Sequence, residues 1–386
     1  MPFYHKQGEI PRTKHTTFYK PDGKSLYREE LVSSEGFSGI YSNIYHHFLP
    51  TAVKSVKEIF PFEDAVWPEA PALYYHFYTD EGKSGGNFIS ARREWLVNAT
   101  CKISTAHVTE ETDQFYRNAG GAEFIFIHRG TGVLKSQFGE NAFGPGDQIV
   151  VPRATTYQMI FEDYEDNKML LVESSSAFEI PKHYKNEYGQ MTEHAPYSER
   201  DFRPPVLTKP NTEADDFTII VKMDNRYFEH IVPHHPFGAV GWDGYLYPFT
   251  FNIKDYHAKV GRIHLPPPVH LLYSTQTFVI CNFVPRLFDF HESAIPAPYF
   301  HSNIDSDEVL YYVEGDFMSR KGVKEGSITL HPGGMPHGPQ PGKTEASLGA
   351  KKTEEYAVMI DTFEPLRPTS HVKDCIDKDY AKSWLN

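Results

Sequence analysis

His301, Glu308 and His337 are the residues of this chain best suited to hold a metal ion. Two neutral imidazoles and one carboxylate on one face of an ion leave the opposite positions open. Such a set suits ferrous iron, which must accept both an organic substrate and O₂, although zinc uses the same ligand types. Each residue also has an ordinary reading. His301 follows Tyr299 and Phe300 and could be a hydrogen-bonded histidine at a strand start. His337 sits in HPGGMPHGPQPG (331–342), whose glycines and prolines could serve turns alone. Glu308 heads an apolar run, where a carboxylate needs a partner. Asp305 and Asp307 compete as carboxylates, but strand alternation sends Asp307 to the face opposite Glu308. His331 is expected to orient a ligand or to hydrogen-bond the substrate. Tyr299, Tyr311 and Tyr312 could wall a substrate cavity, with one of the last two pointing away. The expected substrate contacts are therefore Tyr299, His331 and His337.

Strands must present these residues. EFIFIHRGTGVLKSQFG (123–139), QTFVICNFV (276–284) and DEVLYYVEGDFMSR (307–320) are short, β-branched and aromatic, with Gly, Pro or Asp at their ends. That is the pattern of antiparallel strands joined by tight turns. The helix candidates are the region Ala52 to Phe60 and the C-terminal KDYAKSWL. Pro-rich stretches at 203–210 and 233–236 suggest a linker. The chain is therefore read as two parts, 1–230 and 231–386, the first with its core at about 105–175. An internal repeat supports the division. Glu308, Gly315, Gly326, Pro332, Gly334 and His337 recur, in matching frame, as Glu123, Gly130, Gly146, Pro152, Ala154 and Tyr157. Tyr116 stands where a counterpart of His301 would be. The frame predicts two copies of one barrel, the first having kept the turns and lost the ligands.

This spacing resembles the cupin pattern. His301, Asn303, Glu308 and Gly315 match its first motif, with Asn303 in place of a second histidine. Gly326, Pro332, Gly334 and His337 match its second, with Pro341 in place of the closing Asn. The resemblance implies a mainly β chain of two cupin-type (jelly-roll) barrels, the N-terminal one lacking metal ligands. More specifically, GWDGYLYPFTFN (241–252), PAPYFHSNIDSDE (296–308) and MPHGP (335–339) resemble segments of the homogentisate 1,2-dioxygenase family. GEIPRTKHTTFYKPDG (8–23) and YREELVSSEGF (27–37) resemble its shorter bacterial branch. The resemblance implies Fe(II) on His301, Glu308 and His337, and cleavage of homogentisate by O₂ to 4-maleylacetoacetate in tyrosine and phenylalanine catabolism. It also implies a base acting on the substrate phenol, a histidine that precedes a proline turn. RIHLPPPVHLLYS (262–274) offers His264 and His270, and His264 has a proline three residues on. An imidazole titrates near pH ~6.5 and so can accept a proton at neutral pH. Trimers paired into hexamers are implied as well.

Two departures from the family pattern bear on the site. His301 and Glu308 are one residue further apart than in the long members, so a small bulge is expected near Ile304–Ser306. Phe317 stands where those members carry a substrate-contacting tyrosine. Competing readings are a gentisate-type dioxygenase, which commonly uses three histidines, a metal-dependent sugar isomerase, and a non-enzymatic bicupin that binds or stores.

Composition narrows the partners. The 386 residues are 40% hydrophobic and 23% charged, as in an ordinary globular chain. No apolar run is long enough to span a bilayer, and MPFYHKQGEIPRTKH lacks the apolar core of a secretory signal. A formal net charge of -13 argues against nucleic acid, which needs a basic stripe. Cys101, Cys281 and Cys375 are odd in number and widely spaced, which suggests reduced thiols in a cytoplasmic protein. The expected partners are a small aromatic hydroxy acid, O₂ and further copies of the chain.

Overall fold

The computed structural model describes residues 3–61, 65–82, 85–265, 267–315 and 317–385. Strands carry the architecture, and the single α-helix among the described residues is the five-residue Lys343–Ser347. The protein is mainly β and contains two cupin-type barrels. The first is built on an eight-stranded sheet containing Arg92–Val97, Cys101–Ala106, Lys168–Ser174, Ala122–Arg129, Asp147–Val151 and Phe249–Asn252. A seven-stranded sheet, including Phe115–Asn118, Gly132–Ser136 and Thr156–Phe161, completes it. The second barrel has a six-stranded sheet of Leu271–Ser274, Phe278–Phe283, Tyr356–Thr362, Asp307–Glu314, Ile328–His331 and Tyr75–Phe77.

The apolar runs make sense once both faces of the central strands are seen to be covered. In Ala122–Arg129, Ile125 and Ile127 join Leu134, Ile149, Tyr157 and Leu171 in the core of the first barrel. Phe124 and Phe126, on the other face, join Val309, Tyr311, Ile280, Val358 and Ile360 of the second barrel in one continuous core. The two large sheets thus pack back to back. A pair of buried amides, Gln148 and Asn282, is exchanged across this layer at 2.8 and 3.1 Å. Tyr311, one of the two candidate wall residues, points into the layer and donates its hydroxyl to His128 Nδ1 at 2.6 Å. Tyr312 points the other way, into the second barrel, where it packs on Phe317.

The repeat seen in the sequence is a repeat of register. Glu123 lies opposite Val151 and Glu173, as Glu308 lies opposite His331 and Asp361. Tyr116 pairs with Tyr157, as His301 pairs with His337. The turn before the last position is kept too. Gly334 has φ +76° and its counterpart Ala154 holds φ +63°, a left-handed conformation that an alanine tolerates poorly.

The parts of the chain interlock. Tyr75–Phe77 forms the edge of the second barrel's sheet, pairing with Ile328–His331. Conversely, Phe249–Asn252 pairs with Asp147–Val151 of the first barrel, and Ala239–Gly244 pairs with Tyr41–His46 near the N-terminus. Both of those strands follow residue 230. Backbone between Arg203 and Phe217 is irregular, with one bridge from Val206 to Glu140.

Two expectations need correction. The helix at Ala52 to Phe60 is instead the strand Ser55–Pro61, which pairs antiparallel with Arg226–Val232. Val53, Val56 and Ile59 imitate a helical interval, but a neighbouring strand supplies backbone partners, and β-branched side chains favour that outcome. KDYAKSWL forms only a single 3₁₀ turn, Tyr380–Lys382. The chain bends at Ile304 and Asp305, where the longer interval placed a bulge, and regular pairing begins at Asp307.

Candidate metal centre

Three elements bring the candidate ligands together. Glu308 is the second residue of Asp307–Glu314, and its side chain turns into the second barrel. His301 and His337 belong to two irregular segments joined by reciprocal backbone hydrogen bonds of 2.9 and 2.8 Å. Their imidazole centroids are 4.3 Å apart, and each Nε2 is 3.4 Å from a Glu308 oxygen. One donor atom from each of the three residues lies within 4.8 Å of the others.

The hydrogen bonds fix the tautomers. His301 Nδ1 faces the Tyr299 carbonyl at 3.2 Å, and His337 Nδ1 faces the Met335 carbonyl at 2.9 Å. A carbonyl only accepts, so each Nδ1 carries the hydrogen and each Nε2 presents its lone pair. Both lone pairs therefore converge on a carboxylate, and His337 Nε2 is buried with no hydrogen-bond partner. Three acceptors facing one another are stable only around a cation. A divalent metal fits this donor set.

Glu308 is held for that task. Burial alone would raise its pKa, but the three imidazoles around it, with His331 Nδ1 donating a hydrogen bond, outweigh burial and hold it well below the usual carboxylate range. His331 is fully buried and both its nitrogens are taken. Nδ1 donates to Glu308 Oε1 at 2.8 Å, and Nε2 accepts from the Tyr380 hydroxyl at 3.0 Å. Burial lowers its pKa to about 4, which keeps it neutral in this arrangement. Of its two expected uses, the geometry is that of a residue orienting Glu308. The adjacent Asp307 is spent elsewhere, accepting from the backbone N–H groups of Gly333 and Leu366 at 2.7 Å each. Asp361 lies opposite Glu308 in the register, and burial, then the Glu308 charge, raises its pKa to about 8.

The two candidate bases differ sharply. His264 stands edge-on to Tyr299, with ring centroids 5.0 Å apart, and Tyr299 in turn is 6.0 Å from His301. Its Nδ1 donates to Asp289 at 3.2 Å, which places the ring's lone pair on Nε2. His270 is buried against Phe283 with centroids 4.6 Å apart, and burial lowers its pKa to about 3. Asn303 engages the second motif through its backbone, its carbonyl accepting from Gly334 N–H at 2.6 Å. Sequence reasoning missed Tyr380 and Asp289. Tyr380 falls in a segment that reads as helix, and nothing local marks it as a partner of His331.

The first barrel carries an arginine at the matching place. Arg92 Nη1 lies 2.5 Å from Glu123 and 3.2 Å from the Tyr116 hydroxyl, and Nη2 is 3.0 Å from the Tyr157 hydroxyl. Tyr157 donates to Glu123 at 2.7 Å. By register, Glu123, Tyr116 and Tyr157 hold the positions of Glu308, His301 and His337, so a guanidinium fills the matching centre. All four residues are buried.

The models of the homogentisate 1,2-dioxygenase N-terminal and C-terminal families match residues 86–253 and 269–386. The chain belongs to the homogentisate 1,2-dioxygenase family. A protein of Saccharolobus solfataricus named "Putative dioxygenase" is 39% identical, covering all of this chain and 99% of its own length. The homogentisate 1,2-dioxygenase of Bradyrhizobium diazoefficiens is 26% identical, over 93% of this chain and 86% of its own. Among solved structures, a cupin 2 conserved barrel domain protein of Leptotrichia buccalis is 10% identical, with TM-score 0.37, over 75% of this chain and 96% of that one. The family is one of dioxygenases, and the His301, Glu308 and His337 group lies in the part that its C-terminal model matches.

Proposed function

We propose that this protein opens the ring of homogentisate with O₂ to give 4-maleylacetoacetate, using Fe(II) held by His301, Glu308 and His337. The observation that carries the reading is the convergence of two imidazole lone pairs and a buried carboxylate, one of those lone pairs having no partner. Family membership supports the reaction class, and the two-His-one-carboxylate set distinguishes the site from the three-histidine shell of gentisate-type enzymes. Bound there, ferrous iron would supply a route to triplet O₂ and a Lewis-acidic seat for substrate oxygens.

The protein's own part is orientation and proton handling. His331 and Tyr380 fix the Glu308 carboxylate, so that both imidazoles meet it in one geometry. His264 accepts the phenolic proton at Nε2, and Asp289 stabilises the imidazolium that results. Tyr299 stands between His264 and His301 and lines the approach. Assembly into trimers or hexamers belongs to the same reading, and sedimentation would measure it.

The deciding experiment is anaerobic loading with Fe(II), followed by air and either homogentisate or gentisate, with O₂ uptake and product absorbance recorded. Uptake with homogentisate is expected. Uptake with gentisate alone would move the substrate to the ring-attached acid, and no uptake with either would overturn the reading.

A further inference from the structure

A buried cation stands beside the metal centre. Arg320 is 8% exposed. Its Nη1 donates to the Gly338 carbonyl at 2.6 Å and the Ser319 carbonyl at 3.3 Å. Its guanidinium lies 5.7 Å from the Trp384 ring. Nε is buried without a hydrogen-bond partner. Among the described residues no carboxylate pairs with it, whereas buried Arg92 pairs with Glu123 and Arg286 with Glu355. A guanidinium taken from water without a counter-charge is costly to keep, and such a group is a ready receptor for an anion.

The location gives that receptor a purpose. Gly338, which holds Nη1, follows His337 directly, and its α-carbon packs so closely on Phe300 that an added Cβ would come within 2.6 Å. Phe300 precedes His301. Arg320 is thereby tied to the backbone that presents both imidazoles. Tyr380, Tyr312 and Glu308 favour its charge against the cost of burial, and Tyr312 also hydrogen-bonds it, so it faces the interior of the second barrel. Phe317 packs on Tyr312 and brings no hydroxyl to this side.

We propose that Arg320 binds the carboxylate of the aromatic acid substrate and so determines specificity for an acid over a neutral phenol. This rests on the ring-cleavage reading of the site, and it adds the group that recognises the acid. Arginine suits the role because its fork accepts a carboxylate in two parallel hydrogen bonds.

The test uses the Fe(II)-loaded full chain without O₂. Homogentisate and its neutral alcohol analogue, 2-(2-hydroxyethyl)hydroquinone, are titrated into wild type, Arg320→Lys and Arg320→Met by calorimetry. Wild type is expected to favour the acid by roughly 10- to 100-fold, the range of a hydrogen bond to a charged partner. Arg320→Met should lose that preference while still loading iron and binding the alcohol. Arg320→Lys should retain part of the preference, and it decides the matter if Arg320→Met does not fold. With air admitted, the loss should appear in KM more than in kcat. An unchanged preference in Arg320→Met, equal weakening of acid and alcohol, or no preference in wild type would overturn the proposal. An Arg320-dependent preference without O₂ uptake would keep Arg320 and discard the ring-cleavage reading. Uptake with an unchanged KM in Arg320→Met would do the reverse.

Discussion

At the scale of single residues, the proposed chemistry divides holding a cation, by His301, Glu308 and His337, from moving a proton, by His264. Glu308→Ala removes the only anionic member of the group in which three acceptors converge. Metal analysis should then find iron at background, with the fold intact by circular dichroism. His264→Ala touches none of the three, so iron should remain while kcat falls by about 10²- to 10⁴-fold, the usual worth of a general base. Normal turnover in that variant would place the base elsewhere. Tyr380→Phe takes away the hydroxyl on His331 Nε2 and should weaken metal affinity by about 10- to 100-fold in a chelator competition. His301, Glu308 and His337 are legible because a motif fixes their spacing, and the repeat gives an independent copy of it. Tyr380 and Asp289 are not, because each reaches its histidine only through tertiary approach, 49 and 25 residues along the chain.

At the scale of elements, the first barrel has the strands and turns of the second and carries a covalently attached cation, Arg92, at the matching centre. The network of Arg92, Glu123, Tyr116 and Tyr157 closes without any ligand. Arg92→Leu leaves Glu123 buried and uncompensated and should cost about 3–5 kcal/mol in urea unfolding. Iron content per chain should not change, since the second barrel's ligands are untouched. Turns and strand frames are readable because their signals are local: Gly, Pro and Asp bound short β-branched runs. Ser55–Pro61 imitates a helix for the opposite reason, since its pairing partner, Arg226–Val232, lies far along the chain. Arg92 escapes notice because it precedes the motif and enters the barrel from Arg92–Val97, a strand separated from Ala122–Arg129 by two others in the sheet.

At the scale of the whole molecule, the two barrels meet over a shared core, and His128 is a titratable group within that layer. It accepts from Tyr311 at 2.6 Å and donates to Glu325 at 2.9 Å. Burial first, and the Lys168 charge second, lower its pKa to about 4 from the ordinary value of 6.5. The folded state then binds fewer protons than the unfolded chain between those values, so stability rises with pH there and is lost as pH falls from about 6.5 to about 4. Each tenfold difference in proton affinity between the two states corresponds to about 1.4 kcal/mol. Urea midpoints at pH 5 and pH 7 should therefore differ less in His128→Gln than in wild type. Two barrels can be read from the repeat, but not their exchange of edge strands, because a strand pairing across most of a chain leaves no local signature. That exchange also has a meaning in time. During synthesis Tyr75–Phe77 leaves the ribosome long before Ile328–His331, the strand it must join, and Tyr380 emerges later still. The end that carries the candidate ligands is thus completed only once Tyr380 has been made, and a chain stopped short of it would leave His331 Nε2 without its donor.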